Sequence, residues 1–229
     1  MVFDNINFID EFGKEQKLEF NNFYCVDCMK VLKLIPDKSI DLCIVDPPYG
    51  IGADKMTLGN GKRELHRGNW DSKPPNKDYF KELFRVSKNQ IIWGANHFIS
   101  KMPIDSSCWI FWDKGTGDND FADGELAWTS FDTVVKKKFI SWVGANAKEK
   151  NEKDRIHITQ KPIALYTWLL NNYAHKGDKI LDTHVGSASS LIACHRLGFE
   201  YIGFELDTDY YNLAQERLEA EKAQMTFFD

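Results

Sequence analysis

Short apolar runs alternate with segments of helical periodicity along most of the 229-residue chain. The runs are FYCV (23–26), DLCIV (41–45), QIIWG (90–94), CWIFW (108–112), KILD (179–182) and YIGFE (201–205). Helical spacing of apolar residues is found at 28–35, 77–88, 95–101, 162–174, 188–197 and 208–223. Because strands that alternate with helices form parallel sheets covered on both faces, the pattern predicts an α/β protein with a mainly parallel sheet.

A single domain of residues 1–229 is predicted, since no repeat, low-complexity tract or flexible linker divides the chain. Two long stretches, 50–75 and 113–157, interrupt the alternation and are interpreted as loop insertions. Long loops inside a compact domain are usually functional. We therefore expect these insertions to contain residues that recognise a binding partner.

The composition, 43% hydrophobic and 28% charged, is typical of a globular protein, and no apolar run reaches the roughly 18 residues of a membrane span. The start, MVFDNINFIDEF, lacks the features of a signal peptide, so a cytoplasmic protein is expected. Five cysteines, an odd number, favour reduced thiols. Cys25 and Cys28 form one C-x-x-C without a second pair, so no metal site is predicted.

The net charge of −5 is unevenly distributed along the chain. Residues 55–90 carry nine Lys and Arg against four Asp and Glu, and residues 133–161 carry eight against three. Residues 200–229 carry two against eight. Two basic blocks in an acidic chain are compatible with one electropositive face for a phosphate backbone, but solvated loops would have the same composition.

The stretch DLCIVDPPYG (41–50) ends a predicted strand with an aspartate, two prolines and a tyrosine. Proline continues neither a strand ladder nor a helix, and the residues after Asp46 and Pro47 donate no N–H to pair their carbonyls. Together with the Asp46 carboxylate these carbonyls form a cluster of acceptors, and Tyr49 adds a flat ring. The stretch predicts a site for a planar ring that bears an amino group.

A strand, a turn of small residues and a helix start follow one another in KILDTHVGSASSLIA (179–193). Around Gly186 a ligand can approach the backbone closely, and the helix start presents N–H groups to an anion. Glu205 lies 19 residues beyond Gly186, at the end of the next predicted strand. At that spacing, nucleotide-binding α/β folds place a carboxylate that accepts from a ribose, although many such units bind nothing.

Together these motifs resemble the DNA amino-methyltransferases, which use S-adenosylmethionine to methylate adenine N6 or cytosine N4. The resemblance is carried by DPPYG (46–50), HITQKP (157–162), ILDTHVGSAS (180–189) and YIGFELDTDYYNLAQERL (201–218). The catalytic motif comes first, as in the permuted β group, and IIWGANHF (91–98) with WIFWDKGTGDNDFADGELAWTSF (109–131) is similar to small phage and prophage members. The resemblance implies a Rossmann-like S-adenosylmethionine-dependent methyltransferase fold.

The resemblance implies catalytic roles for the first motif. Asp46 and the Pro47 carbonyl would accept hydrogen bonds from the target amine, and Tyr49 would stack on the base. Pro48 would keep the extended segment 46–49, here called the DPPY hook, rigid. Methyl transfer would be a direct displacement in which the enzyme positions the atoms. Because the amine lies inside a duplex, the target adenine would be flipped out.

The remaining motifs imply a cofactor site for S-adenosylmethionine. Asp27 would contact its adenine, Glu205 its ribose, and Lys161 the carboxylate of its methionine. The predicted cofactor residues are Asp27, Lys161, Asp182, His184, Gly186, Ser187, Ala188, Ser189, Glu205 and Asp207. His184 either touches the cofactor or caps the turn, and we favour the structural role.

The two insertions are the predicted DNA-binding elements, through positions that can reach phosphates or bases. These positions are Arg63, His66, Arg67, Trp70, Lys136, Lys137 and Lys138. About 110 residues separate DPPY from TQKP, which leaves little room for a dedicated recognition domain. We therefore expect double-stranded DNA as the partner, with either a short target site or a homodimer.

One departure from the family pattern lies in the cofactor turn. The family reads Asp-Pro-Phe-x-Gly-Ser-Gly-Thr, and this chain reads DTHVGSAS (182–189). If residue 188 needs a left-handed backbone, alanine costs on the order of 1 kcal/mol there. Aspartate in DPPY favours adenine N6 as the target. Cytosine N4, and a non-catalytic subunit of the same fold that binds the cofactor or DNA, are the alternatives.

Overall fold

Ten strands and five helices make up the computed structural model, which describes residues 3, 5–55, 70–102, 104–117, 122–142 and 155–225. The strands are β1 (Asn7–Ile9), β2 (Glu15–Lys17), β3 (Asn22–Cys25), β4 (Ile40–Val45), β5 (Ser87–Trp93), β6 (Trp109–Asp113), β7 (Gly124–Thr129), β8 (Lys136–Phe139), β9 (Lys179–Asp182) and β10 (Glu200–Glu205). The helices are α1 (Cys28–Leu32), α2 (Lys77–Val86), α3 (Ile163–Tyr173), α4 (Ser189–Leu197) and α5 (Thr208–Met225).

Eight strands form one sheet in the order β3-β10-β9-β4-β5-β7-β6-β8. The first five of these are parallel neighbours, β7 runs antiparallel to β5 and β6, and β8 is parallel to β6. The strand order reverses between β9 and β4, since the chain continues from β9 to β10 on one side and from β4 to β5 on the other. In open α/β sheets such a reversal leaves a crevice at the carboxyl ends of the strands. The predicted mainly parallel sheet is confirmed.

The core lies on both faces of this sheet, because alternate side chains of a buried strand point in opposite directions. In β4, Leu42 and Ile44 pack in one cluster with α3 and α4. Cys43 and Val45 pack in the other with α1 and α2. Helices on both faces are therefore confirmed as well.

The antiparallel part of the sheet was missed from the sequence. β7 and β8 lie within the stretch 113–157, which was interpreted as a loop insertion because its Gly, Asp and Lys content hides the strands. The hairpin of β1 and β2 was also missed. The helix predicted at 95–101 consists of two 3-10 turns, Ala95–His97 and Ile99–Lys101, after Gly94, whose φ is 67°.

Other sequence expectations concern thiols, metals and membranes. All five cysteines are free and buried. Among the described residues, no group of three or more His, Cys, Asp and Glu side chains is placed to hold a metal ion. In that same part of the chain, no helix combines the length and the apolar character needed to cross a membrane.

Candidate active site

The DPPY motif leaves the carboxyl end of β4 beside the point where the strand order reverses. Tyr49 packs directly on the backbone of Gly94, where a Cβ would come within 2.0 Å of the ring. A side chain at residue 94 would therefore displace Tyr49. One further contact is a stacked arrangement with the exposed His97, at 5.1 Å between ring centroids and 18° between planes.

A largely buried network of charges surrounds Asp46. Its Oδ2 accepts from Nζ of Lys161 at 2.5 Å, and its Oδ1 accepts from the Tyr49 hydroxyl at 2.8 Å. Both donors also reach Oε2 of Glu125 on β7, at 2.8 Å from the ammonium and 3.0 Å from the hydroxyl. The other oxygen of Glu125 lies 2.5 Å from Nζ of Lys114. Two carboxylates and two ammonium groups thus meet beside one phenol.

The pKa values of this network follow from burial and from the neighbouring charges. Burial raises the pKa of Asp46, and the Lys161 ammonium opposes that shift. Burial also favours a higher pKa for Glu125, but Lys161 and Lys114 outweigh it and lower the pKa to about 2. For Lys161, burial is outweighed by Asp46 and Glu125, which raise its pKa. Glu125 is therefore ionised and Lys161 charged at neutral pH.

Lys161 has partners that the sequence did not predict. The ammonium pairs with Asp46 and Glu125. Its predicted contact with the methionine carboxylate of the cofactor stays a prediction. The side chain of Lys161 is only 2% exposed. Glu125 and Lys114 were not predicted as site residues, because the strand that carries Glu125 was not recognised.

The turn after β9 is held by Asp182. Its Oδ1 accepts from the backbone N–H of His184 at 3.0 Å, and its Oδ2 accepts from the hydroxyl of Ser190 at 2.5 Å. The carboxylate thus spans the turn and the first residues of α4. Further along, the Ser187 and Ser189 hydroxyls lie 3.1 Å apart.

Glu205 joins this turn to the end of β10. Its Oε2 accepts from the N–H of Gly186 at 2.8 Å. Its Oε1 accepts from the N–H groups of Leu206 and Asp207, at 2.9 and 3.0 Å. Each carboxylate oxygen has more than one lone pair, so Glu205 can still accept from a ligand hydroxyl. Two loops at neighbouring strand ends are therefore locked together by one carboxylate.

Comparison with known proteins shows which family the chain resembles. Residues 109–216 match a family model described as DNA methylase, whose name specifies N6 and N4 methyltransferases. This part of the chain is therefore similar to DNA methylases. The DPPYG motif lies before the matched residues, so the methylase match is independent of that motif. The resemblance to DNA amino-methyltransferases is confirmed.

Curated relatives extend the similarity beyond the matched range. The type II methyltransferase M.HpaI of Haemophilus parainfluenzae is 28% identical over 239 residues, which cover 86% of this chain and 74% of that one. The putative methylase YubD of Escherichia coli K12 is 24% identical over 87% of this chain and 90% of its own. The type II methyltransferase M2.DpnII of Streptococcus pneumoniae is 23% identical, over 85% and 88%.

Solved structures show the same fold. The M1.HpyAVI–SAM complex superposes with a TM-score of 0.57 at 19% identity, covering 86% of this chain and 98% of that one. The PvuII DNA methyltransferase, which is described as cytosine-N4-specific, has a TM-score of 0.58 at 13% identity over 87% and 90%. These likenesses confirm the predicted Rossmann-like methyltransferase fold.

Three predicted cofactor residues make structural contacts. The ring Nδ1 of His184 lies 2.9 Å from the Thr183 hydroxyl, and burial lowers its pKa to about 4, so the ring is neutral. Asp27 accepts from the N–H of Met29 at the start of α1. Asp207 accepts from two N–H groups at the start of α5. Asp27 and Asp207 follow β3 and β10, which are neighbours.

The predicted DNA-binding residues are only partly described. Arg63, His66 and Arg67 lie outside the described residues. Trp70 packs against the rings of His157 and Tyr210, at 5.0 and 6.5 Å between centroids. The neighbouring Asp71, which was not predicted, is buried and accepts from the N–H groups of Gly50, Ile51 and Ala53. This carboxylate anchors the chain directly after DPPY.

The three lysines of the second insertion form most of β8, the edge strand of the sheet. Lys136 and Lys137 are exposed, and Lys137 pairs with Asp113 at 2.6 Å. Lys138 is half-buried, with its ammonium over the ring of Trp168 at 5.8 Å. The edge strand thus presents basic groups, and contact with DNA stays a prediction.

The strain anticipated at residue 188 has a structural basis, because Ala188 adopts φ 60° and ψ 14°. We expect Ala188→Gly to change the free energy of unfolding by less than about 1 kcal/mol, since relief of strain offsets the lost methyl contacts. Ala193→Gly is the matched variant, because Ala193 is also fully buried but lies inside α4. There no strain is relieved, so the free energy of unfolding should fall by about 1 kcal/mol or more. Urea denaturation measures the free energy of unfolding of both variants, and a larger decrease for Ala188→Gly than for Ala193→Gly would contradict the expectation.

A pH dependence of stability is expected from Asp182. Burial raises its pKa to about 7, against the hydrogen bonds from Ser190 and His184. The pKa of Asp182 in the folded state exceeds its value of about 4 in the unfolded state. The stabilisation that this group adds to the free energy of unfolding is therefore fully present below pH 4 and is lost as the pH rises through about 7. Between pH 5 and pH 8 the wild-type protein should therefore lose about 1 kcal/mol or more in free energy of unfolding relative to Asp182→Asn, in which residue 182 does not ionise. Urea denaturation measures the free energy of unfolding of both proteins at both pH values, and the same difference between them at pH 5 and pH 8 would refute this expectation.

Proposed function

We propose that this protein is a DNA methyltransferase that transfers a methyl group from S-adenosylmethionine to the N6 amino group of adenine in double-stranded DNA. The observation that carries the proposal is the meeting of two loops at the strand-order reversal. The DPPY hook leaves β4 there, and the DTHVGSAS turn leaves the adjacent strand β9. A nucleotide cofactor and an amino-bearing base could approach each other in the crevice between them.

The residues of the turn fit the cofactor. The side chains around Gly186 are small, and a Cβ on Gly186 would meet no atom closer than 3.6 Å, so a ligand can approach the backbone there. Glu205 would hold the ribose hydroxyls with its remaining lone pairs, and Asp27 lies after the next strand, where the adenine would extend. When bound, S-adenosylmethionine supplies an electrophilic methyl group on a sulfonium leaving group.

The DPPY residues would prepare the target amine. The lone pair of an exocyclic amine is delocalised into the ring, so the amine is a poor nucleophile. Asp46 and the Pro47 carbonyl would accept its two hydrogens and favour the pyramidal form whose lone pair can attack. Tyr49 would stack on the flipped-out base, replacing part of the stacking lost in the duplex.

The choice of adenine rests on the aspartate of DPPY, while the fold alone is compatible with either base. The PvuII enzyme of the same fold is described as cytosine-N4-specific. DNA would be held by the basic edge strand β8 and by the loop after Tyr49, and a homodimer would enlarge the contact area. Two relatives are type II methyltransferases by name, which supports a role in DNA modification.

Nucleoside mass spectrometry tests the proposal. Unmethylated duplex DNA is incubated with purified protein and S-adenosylmethionine, digested, and analysed for methylated nucleosides. N6-methyladenine is the expected product. N4-methylcytosine alone would overturn the choice of base and leave the reaction class standing. If neither product forms while calorimetry detects cofactor binding, the protein is a non-catalytic subunit or acts on another amine.

A further inference from the structure

The acceptor on which the proposed reaction depends is already engaged by the protein. Oδ1 of Asp46 accepts from the Tyr49 hydroxyl, and Oδ2 accepts from Nζ of Lys161. The ammonium carries N–H donors at the place where the amino group of a base would have to donate. A substrate amine must therefore compete with Lys161 for the same carboxylate.

Glu125 offers a second acceptor to both of these donors. Its Oε2 lies 2.8 Å from Nζ of Lys161 and 3.0 Å from the Tyr49 hydroxyl. The ammonium can turn its hydrogens toward Glu125 without leaving the site, because it already lies within hydrogen-bonding distance of both carboxylates. The phenol has one hydrogen and two carboxylates within reach, so its donation can also pass to Glu125.

The charge balance of the network makes this exchange feasible. Lys161 is almost fully buried, so its ammonium cannot be transferred to water when it leaves Asp46. Two ammonium groups face two carboxylates, and Lys114 compensates the outer oxygen of Glu125. If residue 125 were neutral, Lys161 would have Asp46 as its remaining anionic partner and would pair with it more tightly, because an uncompensated buried charge is costly.

We infer that Glu125 is a positioning residue for methyl transfer: it draws the Lys161 ammonium and the Tyr49 hydroxyl away from Asp46, which can then accept the substrate's amino group. The inference deepens the proposed function and rests on it. Glu125 acts through Lys161 and Tyr49 and is not required to touch the substrate itself. In sequence it lies 79 positions after Asp46, on a strand at the antiparallel side of the sheet.

Single-turnover kinetics of the full-length Glu125→Gln variant test the inference. Gln keeps the size of the side chain and removes its charge, so Lys161 remains on Asp46. We expect the rate of methyl transfer to fall about 10- to 100-fold, as for misplaced reacting groups. Dissociation constants for S-adenosylmethionine and for duplex DNA should stay within about threefold of wild type, since Glu125 contacts the internal network and the loss is confined to the chemical step.

Matched variants complete the design. Asp113→Asn removes a carboxylate from the neighbouring strand, where it pairs with exposed Lys137, and should keep the wild-type rate. Glu125→Asp keeps the charge with a shorter reach and should recover part of the rate. It also replaces Glu125→Gln if circular dichroism shows that variant to be unfolded, and a rate at least about threefold below wild type is then expected.

The outcomes separate the inference from the proposed function. A wild-type rate in Glu125→Gln, or in Glu125→Asp when that variant stands in for it, overturns the inference while the function stands. A loss of cofactor affinity as large as the loss of rate also overturns it, because Glu125 would then belong to the cofactor site. A wild-type protein that methylates neither adenine nor cytosine overturns the proposed function, and the inference with it.

Discussion

Asp46→Ala should lower the rate of methyl transfer by about 100- to 1,000-fold, the loss typical when a group that stabilises the reacting centre is removed. The reason is that the carboxylate is the proposed charged acceptor for the target amine, and the Pro47 carbonyl alone would leave one hydrogen without an acceptor. Affinity for S-adenosylmethionine should stay within about threefold of wild type, because the direct contacts of Asp46 are with Tyr49 and Lys161 and not with the turn after β9. Tritium transfer from labelled cofactor measures the rate, and calorimetry measures the affinity.

The control for this variant is Asp37→Ala. Asp37 is 76% exposed and pairs with Arg85 away from the DPPY hook, so its loss should leave transfer unchanged. Asp46→Ala also removes a partner of the buried Lys161, so thermal unfolding of both variants should accompany the kinetics. A folded Asp46→Ala protein with more than about a tenth of the wild-type rate would exclude the proposed catalytic role.

Glu205→Ala should have the opposite profile, with cofactor affinity as the primary loss. The substitution removes the acceptor of three backbone N–H groups and the proposed acceptor of the ribose hydroxyls. Loss of such a partner costs about 1–3 kcal/mol, which corresponds to a decrease in affinity of about 5- to 150-fold. Calorimetric titration with S-adenosylmethionine measures the effect.

Glu200→Ala is the matched control for Glu205→Ala. Glu200 is exposed at the other end of β10, so its removal should leave the affinity unchanged. Equal affinity of Glu205→Ala and Glu200→Ala would show that the carboxylate of Glu205 does not hold the cofactor. Since Asp46→Ala should spare binding and Glu205→Ala should weaken it, the pair of variants assigns the two loops to different parts of the reaction.

The sequence by itself determined the α/β class, the positions of the parallel strands and the two motifs that leave β4 and β9. These features are local: apolar runs bounded by turn residues specify buried strands, and prolines or small residues specify how the chain leaves them. The left-handed strain at Ala188 could be anticipated for the same reason, because it depends on the backbone of one turn.

Only the tertiary structure decided which side chains surround Asp46. Lys161, 115 positions away in sequence, contacts Asp46 directly. Glu125, 79 positions away, shares the Lys161 ammonium and the Tyr49 hydroxyl with Asp46, because β7 and the segment before α3 pack at the same end of the sheet. Asp71 likewise reaches back about 20 positions to fix the chain after Tyr49. No periodicity or spacing encodes such contacts, since they depend on the order of strands in the sheet and on the packing of distant segments. The motifs therefore indicate the reaction, and the fold assembles the charges around it.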